Sequence, residues 1–220
     1  MYYYGRELLK EKNEQEAKPF LEQAIENGNS DAMYTYAKVL IDDNKDRAIR
    51  YIKQSIDNGN EKAFHEYAKI LENEGKKQEA LLFYKFAANK GNVDSMNKCG
   101  DMLYKGEGTE IDKKEAAHFY QLSADKGNDD SMYKYAYMLY NGDGIKVNKN
   151  ESLRYHKKAI EKENIKAIYN CTYILLYDKD IQNEKEAIDL LKIGIMKGNA
   201  ESMFTYGNIL CDSKTTLINV

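Results

Sequence analysis

Apolar and small residues recur along the chain at i, i+3, i+4 and i+7, the spacing that lines one face of a helix. One set of columns reads Met33, Tyr36, Ala37, Leu40; then Phe64, Tyr67, Ala68, Leu71; Met96, Cys99, Gly100, Leu103; Met132, Tyr135, Ala136, Leu139; Ile168, Cys171, Thr172, Leu175; and Met203, Tyr206, Gly207, Leu210. A second set reads Ala17, Phe20, Leu21, Ala24; Ala48, Tyr51, Ile52, Ser55; Ala80, Phe83, Tyr84, Ala87; Ala116, Phe119, Tyr120, Ser123; Ser152, Tyr155, His156, Ala159; and Ala187, Leu190, Leu191, Gly194. The first set defines helix A of the second to sixth repeats and of a final partial repeat, and the second set defines helix B of the first six repeats. The small column of helix A (Ala37, Ala68, Gly100, Ala136, Thr172, Gly207) predicts close approach of the facing helix B.

Each helix B is followed by Gly-Asn, at Gly28-Asn29, Gly59-Asn60, Gly91-Asn92, Gly127-Asn128 and Gly198-Asn199, with Glu163-Asn164 in the fifth repeat. Glycine there suits the left-handed residue that ends a helix. The expected repeats are 1–29, 30–60, 61–92, 93–128, 129–164 and 165–199, with a partial repeat at 200–220 whose helix A has no helix B. One helix pair cannot bury both its faces, so the pairs must stack. The fold class that follows is all-α, a single right-handed α-solenoid over residues 1–220 of six helix pairs and one terminal helix.

At 42% hydrophobic and 31% charged over 220 residues, the composition suits a folded, water-soluble chain. A formal charge of −3 gives no general pull toward nucleic acid or an anionic membrane, and neither is expected as a partner. No apolar run reaches the ~20 residues of a membrane-crossing helix. The first residues lack the basic and apolar regions of a secretory signal, and a cytoplasmic location is the expectation.

The fourth repeat carries Cys99-Gly100-Asp101-Met102-Leu103-Tyr104-Lys105-Gly106-Glu107-Gly108, then Asp112-Lys113-Lys114-Glu115-Ala116-Ala117 and Phe119-Tyr120; the fifth carries Gly142-Asp143-Gly144 and Asn148. In these residues the chain resembles the Sel-one-like repeat family of tetratricopeptide-like helical solenoids. The resemblance implies a scaffold or adaptor that binds a partner protein or peptide in a groove lined mainly by helix A, without a catalytic residue or cofactor of its own. A second reading is a regulatory or targeting region of a longer protein, for instance one with a protein kinase domain. A third, a secreted hydrolase of the cysteine-rich branch, would need two cysteines in one repeat; Cys99, Cys171 and Cys211 stand in different repeats.

The candidate groove residues are the exposed columns of helix A: Tyr34, Lys38, Lys69, Tyr133, Tyr137, Tyr169, Tyr173 and Phe204. Four tyrosines spaced i and i+4 on neighbouring helices suit a protein-binding patch. With 19 tyrosines in the chain, packing of these rings between repeats is the competing explanation. Lys38 and Lys69 would favour an acidic peptide. His65, His118 and His156 lie in different repeats without a recurring ligand spacing, so neither a metal nor acid–base catalysis is expected. Self-association through the terminal helices is a further expectation.

Overall fold

The computed structural model describes residues 1–211 and divides the chain into two compact units, Met1–Glu110 and Ile111–Val220. The first holds α1 (Tyr2–Lys10), α2 (Glu14–Glu26), α3 (Ser30–Leu40), α4 (Lys45–Asp57), α5 (Glu61–Asn73), α6 (Lys77–Asn89) and α7 (Val93–Lys105). The second holds α8 (Lys113–Asp125), α9 (Asp129–Asn141), α10 (Lys149–Glu161), α11 (Ile165–Tyr177), α12 (Glu184–Met196) and α13 (Ala200–Cys211). The described residues form helices joined by short turns, and within each unit consecutive helices pack together. In the second unit the A helices also touch one another, α9 against α11 and α11 against α13. No helix among the described residues is long and apolar enough to cross a membrane.

The Gly-Asn pair ends one helix and starts the next. At the first pair, Asn29 N–H donates to Ala24 O at 3.1 Å, closing α2, and the Asn29 side chain then accepts from Ala32 N at 2.8 Å, opening α3. The same cap recurs at Asn92, Asn128, Asn164 and Asn199, which accept from the backbone of Ser95, Ser131, Ala167 and Ser202. Asn60 and Asn164 add a tie to the first turn of the preceding helix A, their amides donating to Asp31 at 3.0 Å and Asp129 at 2.9 Å. Glu163 takes the glycine position at φ 68°, a conformation that a β-carbon disfavours.

Core positions follow the apolar columns. Tyr36, Ala37, Leu40, Ala48 and Ile52 form one cluster with Leu21 and Ala24, and Cys171, Leu175 and Ala187 form another. The last helix departs from this pattern. Met203 and Leu210 are exposed while Ser202 and Ile209 are buried, and a β-carbon on Gly207 would meet nothing within 4 Å. Close approach therefore fails at Gly207, because α12 packs on another face of α13 and among the described residues no helix B follows α13 to require it.

Lysines at the start of helix B form a second regularity. Lys45 pairs with Glu74 at 2.9 Å and Lys77 with Glu107 at 2.9 Å in the first unit; Lys113 pairs with Asp143 at 2.7 Å and Lys149 with Asp178 at 2.9 Å in the second. Each joins one repeat to the turn after helix A of the next. Beside two of these pairs the second glycine of Gly-x-Gly lies against backbone. A β-carbon on Gly108 would stand 2.5 Å from the Lys77 carbonyl carbon, and one on Gly144 would stand 2.7 Å from that of Lys113. These glycines permit a contact between repeats as well as a turn.

Candidate functional site

Helix A directs its core columns toward helix B and leaves the next positions on the open side of the layer. In the second unit those positions are rich in aromatic rings. Tyr137 on α9, Tyr169, Tyr173 and Tyr177 on α11, and Phe204 on α13 are 44%, 43%, 50%, 63% and 72% exposed. Tyr173 and Tyr177 lean together, ring centroids 5.0 Å apart.

Two hollows share this face. The larger, about 760 Å³, runs between α11 and α13 and is lined by Tyr169, Tyr173, Tyr177, Phe204, Thr172 and Glu201, among others. Thr172, in the small column, is buried with an Oγ1 that has no hydrogen-bond partner. The smaller, about 240 Å³, lies between α9, α10 and α11, and its wall comprises Tyr137, Tyr140, Asn141, His156, Tyr169, Asn170, Tyr173 and Ile174. Tyr169 and Tyr173 belong to both, so the two hollows form one continuous surface.

The structure thus gathers four of the expected residues, Tyr137, Tyr169, Tyr173 and Phe204. Tyr133 is half-buried, its ring 5.9 Å from that of His156, and lines neither hollow. Tyr34, Lys38 and Lys69 belong to the first unit. Lys38 Nζ lies 5.7 Å from the centre of the Tyr34 ring, and Lys69 donates to Glu66 at 3.2 Å. Burial pushes the Tyr34 phenol up to about 12.

Tyr140, Tyr177, Thr172 and His156 stand outside the candidates read from the sequence. Tyr177 continues the i, i+4 series of Tyr169 and Tyr173. His156 interrupts the helix B column that elsewhere reads Leu21, Ile52, Tyr84, Tyr120 and Leu191. Burial holds the imidazole well below its ordinary pKa, at about 4, so it is neutral near pH 7. Tyr140 is oriented from outside the hollow, its hydroxyl donating to Asp178 at 2.9 Å, while Lys149 donates to Asp178 and, at 2.6 Å, to Asp180. The Lys149 contact is the main reason that the Asp178 carboxyl titrates below its usual range.

Nothing in this surface suggests a nucleophile. Cys171 is buried and its thiol is pushed up to about 12 by desolvation, the direction opposite to activation. The surface offers ring faces, hydroxyls and amides, the groups that recognise a partner's side chains and backbone.

The Sel1 repeat family model matches residues 1–29, 32–60, 74–92, 93–128 and 129–164. Among solved structures, a protective antigen of uropathogenic Escherichia coli strains displaying an SLR fold aligns at a TM-score of 0.88 and 20% identity, covering 96% of this chain and 48% of the antigen. The chain therefore spans about half the antigen's length. A Sel1 repeat protein from Oxalobacter formigenes aligns at a TM-score of 0.76 and 19% identity, covering 97% of this chain and 91% of the other. YrrB, a TPR protein with an unusual peptide-binding site, aligns at 0.55 and 18% identity over 85% of this chain and 97% of its own. No curated protein matches in sequence. Folds of this kind generally serve as protein-interaction scaffolds and are typically non-catalytic. With five matches that together span most of its length, the chain belongs to the Sel1 repeat family.

Proposed function

We propose that this protein is an adaptor that holds a segment of a partner protein along the aromatic face of α9, α11 and α13. The observation that carries the reading is the continuous surface of Tyr137, Tyr169, Tyr173, Tyr177 and Phe204 around the 760 Å³ and 240 Å³ hollows. Exposed tyrosine and phenylalanine present much apolar area at a small loss of rotamer entropy, and phenol hydroxyls add hydrogen bonds. A contiguous aromatic surface of this kind is more typical of a binding site than of ordinary solvent-facing helix. YrrB, of similar fold, has a peptide-binding site, which accords with the reading. A cytoplasmic location is part of the proposal, supported by three cysteines that are all thiols.

The test is selection from a random peptide library on the intact protein, followed by titration of the selected peptides against Tyr169→Ala/Tyr173→Ala/Phe204→Ala. All three side chains are exposed, so folding by circular dichroism should be unchanged. Loss of about 1–2 kcal/mol per aromatic anchor would weaken binding by well over ten-fold. Peptides that bind both proteins equally, or a library that yields no binder, would sink the reading.

A further inference from the structure

In the third repeat, Tyr84 occupies the helix B column, wholly buried, and its hydroxyl donates to Glu72 at 2.7 Å. In the fifth repeat the same column holds His156, and the position of Glu72 is taken by Tyr140, whose hydroxyl turns to Asp178. The substitution leaves a smaller ring and removes the phenol. Where the imidazole stands, the 240 Å³ hollow opens, with His156 and Tyr140 both in its wall.

His156 is 1% exposed, and its Nδ1 has no hydrogen-bond partner. Buried polar atoms are ordinarily satisfied, so an orphan in the wall of an open hollow points to a missing ligand group. The wall is otherwise four tyrosines, two asparagines and Ile174, with no charged side chain. A charged group entering it would lose hydration without a counter-ion, whereas a neutral ring would exchange water for the faces of Tyr137, Tyr169 and Tyr173.

We infer that this hollow is a specificity pocket for a single phenolic side chain, a tyrosine of the partner segment, inserted between Tyr137, Tyr169 and Tyr173 and hydrogen-bonded through its hydroxyl to His156. A hydroxyl is donor and acceptor at once, so it satisfies either tautomer of the neutral imidazole. Occupancy orients the imidazole, whose rotation about χ2 needs no backbone movement, to bring a nitrogen to the hydroxyl. The inference rests on the adaptor reading and adds what the partner must present. It can fail while the wider groove still binds peptides.

The experiment titrates the intact protein at pH 7.5 with p-cresol, toluene and tetramethylammonium, following the imidazole resonances by NMR. The His156 signal is assigned by its loss in His156→Tyr. That variant restores the residue type of the same column in the third and fourth repeats, and it should fold and fill the hollow. p-Cresol should shift the His156 resonance saturably and bind roughly ten-fold or more tightly than toluene, because a site with an orphan polar atom discriminates against a ligand lacking the hydroxyl. Tyr173→Ala, which removes only an exposed wall, should weaken p-cresol several-fold with the fold intact. Toluene binding as well as p-cresol, tetramethylammonium binding better, no shift at His156, or undiminished p-cresol binding to His156→Tyr would each overturn the proposal.

Discussion

The ring of Tyr133 lies 5.9 Å from that of His156, inclined by 56°, and the third repeat holds the same two residue types in exchanged places. There His65 is on helix A and Tyr84 on helix B, 5.6 Å apart and inclined by 58°. The exchange changes the chemistry. His65 Nδ1 meets Ser95 Oγ at 2.7 Å, whereas His156 is buried in the helix B column with its Nδ1 unsatisfied.

His156 should make stability fall with acid. Its folded pKa of about 4 lies below the ordinary 6.5, so between those values the unfolded chain binds the proton and the folded one does not. The contribution of the neutral ring is therefore fully present above pH 6.5 and is lost as pH falls toward 4. From pH 7 to pH 5 this group should remove roughly 2 kcal/mol. His65, also depressed chiefly by burial, acts in the same direction. Urea unfolding at the two pH values should show a shallower dependence for His156→Tyr than for the wild type. Parallel curves would mean that the imidazole titrates normally.

Glu163 at φ 68° carries strain that a glycine would release. The ion pair with Lys197, 2.8 Å long, is set on a side chain 79% exposed and contributes little. Glu163→Gly should therefore stabilise the protein by about 1 kcal/mol despite the added flexibility of the unfolded chain. Thermal unfolding should shift upward by roughly 2–4 °C. A fall in Tm would show that the local contacts of Glu163 outweigh its backbone strain.

The division of the chain into helix pairs was legible because the same columns recur along the chain and Gly-Asn marks every boundary but the fifth, where Glu163 replaces the glycine. The role of asparagine in that pair was not, since a cap is recognised only when its side chain meets the backbone three residues on, as Asn29 meets Ala32. Four of eight site residues came together because column position dictates which way a helical side chain faces. Tyr133 did not join them, because its column lies at the edge of the open face: Tyr34, His65 and Asn97 at the same position are half-buried too. Met203 and Leu210 followed the apolar pattern without being buried, since a column specifies a face and burial needs a neighbour to cover it.

Gly144 separates two demands on one residue. Its φ is 80°, and a β-carbon there would collide with Lys113, whereas Gly127, at φ 97°, has nothing within 4 Å of that position. Gly127→Ala should show the backbone penalty alone, on the order of 1–2 kcal/mol. Gly144→Ala should add the penalty of overpacking, for a total of about 3 kcal/mol or more. Equal losses in chemical denaturation would show that the contact with Lys113 relaxes without resistance.

Lys149 holds the wall of the smaller hollow indirectly. It pairs with Asp178, which is buried and also receives the Tyr140 hydroxyl, so removing the cation leaves a carboxylate with fewer partners beside an aromatic wall. Lys77 pairs with Glu107, a more exposed acid, at the corresponding place in the first unit. Breaking a partly buried pair by removing one partner is more damaging than breaking an exposed one. Lys149→Met should consequently destabilise the protein more than Lys77→Met. Adding Asp178→Asn to Lys149→Met should recover part of the loss, since a neutral amide no longer needs the cation and still accepts from Tyr140. Equal effects of the two single substitutions, or no recovery in the double, would show that the network around Asp178 is an ordinary surface pair that does not position Tyr140.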